Sequence, residues 1–143
     1  MKSPSVAVQQ VAQPGPWLKL LWRLAFWIPL VISIAIAWTP NPVGLVASMA
    51  GSVAHIAAAG YLAFALSLAH FRQGPWPAVA AWMMVWGVTI ELVQLFVDGR
   101  GAQLADLASD ALGIALGCTM YALWQRLTHR ARDQADKPSS SPA

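Results

Sequence analysis

A glutamate and two aspartates stand inside one largely apolar stretch, IELVQLFVDGRGAQLADLASDALG from Ile90 to Gly113. Carboxylates so placed can share a proton, exchange one with a substrate, or hold a cation, and ionisable groups within a membrane span mark a functional site by default. At about 100° of rotation per residue, Gly87, Glu91, Gln94 and Asp98 fall within an arc of about 60° on one helix. Asp106, Asp110, Gly113 and Gly117 do the same on the next. Folding the hairpin about Arg100 sets Glu91 opposite Asp110 and Gln94 opposite Asp106. Two apposed carboxylates in a low dielectric cannot both stay ionised unaided, so one is expected to hold a proton or a cation to lie between them. Arg100 is the nearest basic residue for that purpose.

His55, near the start of the preceding apolar segment, belongs to the same end of the bundle. The expected binding set is therefore His55, Glu91, Gln94, Arg100, Asp106 and Asp110. Glu91, Asp110 and His55 are the candidates for general acid and base, but no nucleophile with an evident activating base accompanies them, so the sequence leaves catalysis open. The hairpin itself offers only carboxylates and an amide, and no metal or cofactor is expected. Plainer roles compete with these: an acidic clasp that fixes the hairpin, a hydrogen-bonding histidine, and Gly113-xxx-Gly117 as a packing seam.

The elements that must position these groups follow from hydropathy. The chain has 143 residues, of which 57% are hydrophobic and 10% charged, far more apolar than a soluble domain of this size. Four segments meet the requirement of roughly 20 apolar residues per crossing: Trp17 to Trp38, Val43 to Ala69, Trp76 to Val97 and Leu104 to Trp124. Helix-length runs without strand alternation predict an all-α membrane protein, a bundle of four transmembrane helices. Proline and glycine turns (TPNP, FRQGPWP and DGRG) separate them, and tryptophans sit near the predicted ends. The single cysteine, Cys118, excludes a disulfide framework.

Of nine Lys and Arg residues, only Arg100 lies on the side of TPNP and DGRG. Both termini are therefore expected to be cytoplasmic, with the acidic hairpin opening outward. The basic residues cluster at span edges and form no face for nucleic acid. Residues 1–16 form a cytoplasmic N-terminal segment, with the first span an uncleaved anchor; residues 17–125 form the transmembrane domain; residues 126–143 form a basic tail expected to be disordered.

The hairpin resembles the signature of VanZ-like membrane proteins: Glu-x-x-Gln, a short turn with Arg, Asp, then Asn four residues on, and a glycine-rich helix. Glu91, Gln94, Arg100, Asp106, Gly113 and Gly117 match in order and spacing, while Asp110 stands where the family usually has Asn. A further family element, an Asp-Lys pair ahead of a His, is met by His55 alone in GSVAHIAAAGY, with Gly51 and Ser52 replacing the pair. The resemblance spans Val43 to Gly117 and implies a multi-pass protein of the bacterial cytoplasmic membrane, linked to the envelope and to tolerance of glycopeptide antibiotics. On this reading an outward pocket takes a polar or lipid-linked headgroup, an envelope precursor for example. The alternatives are a membrane-embedded hydrolase or transferase acting on such a precursor, or a structural accessory subunit paired with another membrane protein. Oligomeric state is not legible.

Overall fold

The computed structural model describes residues 15–40, 51–72, 76–99 and 101–135. Among these lie four helices and no strand: α1 (Pro16–Ala37), α2 (Gly51–Ala69), α3 (Trp76–Gln94) and α4 (Leu104–Ala135). Each is long and apolar enough to cross a membrane. Helix is the form that satisfies every backbone group inside one segment, which hydrocarbon demands. α1 opens on Pro16, whose missing N–H costs nothing in the first turn, with the Gly15 carbonyl accepting from Leu18 and Lys19. Pro29 lies within α1, which remains one helix.

The expected spans agree closely for α1 and less closely elsewhere. Residues 43–50, the predicted start of the second span, lie outside the described residues. α3 ends at Gln94, three residues short of the predicted Val97. There the chain tightens into turns in which Phe96 and Val97 donate to the carbonyls of Val93 and Gln94, and Gly99 takes a positive φ of 76°. α4 runs the other way, past Trp124 to Ala135, so the tail expected to be disordered is helical over its first ten residues, 126–135. Leu, Gln, Arg and Ala favour helix, and no proline or glycine interrupts the chain before Pro138.

α2 and α4 form the most extensive helix pair, because small residues line both sides of their contact. A Cβ on Gly113 would strike the Ile56 carbonyl oxygen and come within 3.0 Å of the Ala59 Cβ. One on Gly117 would strike the Gly60 carbonyl oxygen and come within 3.0 Å of the Ala63 Cβ. The packing reading of Gly113-xxx-Gly117 thus describes what these residues do, and Gly60 is the partner it needs. α1 packs on α2 and α3, burying Phe26 and Leu30 with Leu62, Leu66, Val79 and Met83. Val31, Val85, Leu112 and Leu127 point away from the bundle, as lipid-facing side chains do.

Candidate functional site

The polar residues converge where the first half of α2, the last turns of α3 and the first turns of α4 meet. His55 Nδ1 lies 2.9 Å from Asp110 Oδ1, and His55 Nε2 lies 3.6 Å from Asp106 Oδ2. The histidine thus sits between two aspartates one turn apart on α4. Glu91 is 2% exposed, and its Oε2 accepts the Gln103 backbone N–H at 2.8 Å. Gln103 closes the start of α4, its carbonyl accepting from Asp106 and Leu107. A carboxylate therefore meets a helix N-terminus, where unpaired N–H groups and the helix dipole favour negative charge. The other oxygen of Glu91, Oε1, is enclosed and has no hydrogen-bond partner among the described residues.

These groups border a cavity of about 360 Å³ with a mostly apolar wall. His55, Gln94, Asp106 and Asp110 supply most of its polar lining, and Ser33, Met83, Trp86 and Ile114 are among the rest. Gln94 is buried at its edge. One ligand-type atom from each of His55, Glu91 and Asp106 lies within 4.8 Å of the others.

The expected members His55, Glu91, Gln94, Asp106 and Asp110 are thus brought together, while Arg100 lies outside the described residues. The pairing within the set differs from the expectation. Asp110 bonds to His55 and not to Glu91, and its Oδ2 stands level with Gly87, where an added Cβ would lie 2.9 Å away. The hairpin is displaced by one helical turn from the register that symmetry about Arg100 gives. The cause is local: α3 stops early at Gln94, and residues 101–103 take no helical form before α4 begins. Asp110 therefore faces a glycine, which leaves room for its carboxylate to reach across to α2. His55, expected as a member of the set, adds an imidazole to the hairpin's carboxylates. Gln103 was missed outright, although its place just before the apolar run from Leu104 marks a helix start.

An all-helical chain whose apolar spans enclose an acid–histidine cluster is a multi-pass helical membrane protein. A VanZ/LLP1 family model matches residues 2–125 of the 143, and the chain belongs to that family. Comparison with curated proteins and with solved structures gives no match.

Proposed function

We propose that this chain is an envelope protein of the bacterial cytoplasmic membrane whose cavity between α2, α3 and α4 receives a polar or lipid-linked headgroup, in a role tied to envelope or glycopeptide tolerance. The observation that carries the reading is the mixed cavity wall: two acids, an imidazole and an amide stand among apolar side chains such as Ile36, Leu62, Met83 and Ile114. A ligand with a polar head and a hydrocarbon portion matches that mixture. Family membership favours an envelope role, and the Lys and Arg distribution favours cytoplasmic termini with the polar end outward. Arg100, between Gly99 and Gly101 in the chain, would then offer its planar fork to an anionic head.

Native mass spectrometry of the purified protein with a lipid-linked envelope precursor tests this. An adduct is expected with the wild type and not with Ala58→Trp, which fills the cavity that Ala58 lines. Equal adducts with both would refute the reading. Cysteine labelling of Arg100→Cys in intact cells should succeed from outside; labelling from the cytoplasm alone overturns the orientation.

A second reading draws on one contact. Asp110 holds the His55 ring at 2.9 Å, the arrangement by which a carboxylate orients a general base. A hydrolase or transferase would use that pair on the same precursor. Incubation that changes the mass of the precursor selects the enzyme; an unchanged precursor in a stable adduct selects the binder.

A further inference from the structure

We propose that His55, Glu91 and Asp106 bind a divalent transition-metal ion, zinc or manganese, with Asp110 as the residue that orients the imidazole. Three observations converge on it. The first is distance. Around an ion with donor bonds of about 2.1 Å, neighbouring tetrahedral ligand atoms stand about 3.4 Å apart. His55 Nε2 and Asp106 Oδ2 are 3.6 Å apart, and His55, Glu91 and Asp106 each offer one ligand-type atom within 4.8 Å of the other two. Small side-chain rotations close the remainder.

The second is the polarity of the ring. With Nδ1–H donated to the Asp110 Oδ1 at 2.9 Å, Nε2 presents its lone pair toward the Asp106 carboxylate. Two lone pairs facing each other repel unless a proton or a metal ion lies between them, and at 3.6 Å the gap is longer than an N–H···O hydrogen bond spans. A carboxylate behind a ligating imidazole is also the usual outer partner of a metal-bound histidine, fixing its tautomer and raising its basicity.

The third is Glu91. It is 2% exposed, its Oε2 is held by the Gln103 N–H, and its Oε1 is enclosed without a partner among the described residues. A buried acceptor left unpaired is costly, and a carboxylate anchored by one oxygen with the other free suits a monodentate ligand. Charge points the same way. Among the described residues, Glu91, Asp106 and Asp110 outnumber the single imidazole, and a divalent ion cancels negative charge that a low dielectric penalises. One nitrogen and two carboxylates form a mixed set suited to zinc or manganese, leaving a position open toward the cavity. The ion needs no headgroup in order to bind.

The test uses full-length protein in detergent carrying His70→Gln and His129→Gln, so that His55 is the sole histidine of the three in the chain. After chelator treatment and dialysis against zinc, one equivalent per chain is expected, and Asp106→Asn and Glu91→Gln should each weaken zinc binding by more than about 100-fold, with Asp110→Asn costing about 10- to 100-fold. Should a ligand variant fail to fold, pulsed electron paramagnetic resonance of the same background loaded with copper reads coordination directly, and a bound imidazole nitrogen is expected. Absence of stoichiometric zinc in folded protein, zinc affinity unchanged in folded Asp106→Asn and Glu91→Gln, or a copper spectrum without nitrogen coordination would each overturn the site.

Discussion

Two stretches of the α2–α4 contact, about one turn apart, obey opposite rules. Along the seam of Gly60, Gly113 and Gly117 the backbones approach so closely that a Cβ on Gly113 or Gly117 would strike a carbonyl oxygen of α2, and the contact is complete in itself. Beside it, where Gly87 of α3 makes room for Asp110, the helices carry an imidazole between two aspartates, and a Glu91 oxygen is left without a partner among the described residues. The seam fixes the spacing that the cluster depends on. Packing therefore accounts for the glycines, but it leaves the acids unexplained, since a clasp made only for stability would pair its own oxygens.

The sharpest way to break this contrast is to give the seam a side chain. Gly117→Ala would drive a Cβ into the Gly60 carbonyl, which belongs to backbone and cannot swing aside. A loss of about 3 kcal/mol is expected, seen as a fall in melting temperature and in monodisperse protein after extraction. Stability equal to wild type would mean that α2 and α4 do not approach as described.

Glu91→Gln comes next, with its effect on function and not on folding. The amide can still accept from Gln103 through its oxygen, so abundance in the membrane should change little. On the proposed function, any glycopeptide tolerance measured with the wild-type chain is expected to disappear. A matching loss of folded protein would instead return Glu91 to the role of clasp.

These outcomes bear on how far sequence alone reaches. The four apolar spans, the glycine seam and the residues that could share one face follow from hydropathy and helical angle, since both properties are local, and the structure brings five of the six expected residues together. The pairing within the site does not follow from them. Helical angle states which face Asp110 occupies but not what stands opposite, and the opposite residue depended on where α3 stops and α4 begins, a matter of a few turn residues around Gly99. His55 was legible as a neighbour and not as Asp110's partner, because its contact crosses from a helix far away in sequence. The helical continuation to Ala135 shows the converse: charge and polarity suggested disorder, while helix propensity prevailed.

Gly87→Ala is expected to have an intermediate effect. Its Cβ would lie 2.9 Å from Asp110 Oδ2, the tip of a side chain that can rotate, so the fold should survive. The carboxylate would move, however, and the His55 ring would lose its anchor. Zinc affinity should fall about 10-fold or more with melting temperature nearly unchanged. Unaltered affinity would show that the ring is held by something other than Asp110.

At the far end of the bundle the polar groups serve packing, and smaller effects are expected. The Arg72 carbonyl accepts from both Tyr121 Oη at 3.0 Å and Gln125 Nε2 at 2.6 Å, while the Arg72 guanidinium lies 4.5 Å from the centre of the Trp22 ring. Because the carbonyl has two donors, Tyr121→Phe leaves it satisfied and should cost about 0.5–1 kcal/mol. Removing both donors should cost more than the sum of the single changes, since only then is the carbonyl left bare.

The smallest effect should come from Thr119→Val, two residues from Gly117 and about 200° around the helix from it. Thr119 faces outward and bonds only to the Ala115 carbonyl of its own helix at 2.7 Å. That carbonyl already serves the helix ladder, and valine has nearly the same shape, so a change within about 0.5 kcal/mol is expected by thermal unfolding in detergent. The value of this weak variant lies in its neighbour. If Thr119→Val destabilised the protein as strongly as Gly117→Ala, the two faces of α4 would be energetically alike, and the division between a tight seam and a lipid-facing surface would fail. A large gap between the pair instead locates the stability of the bundle on the α2 side of α4, the side that also carries Asp106 and Asp110.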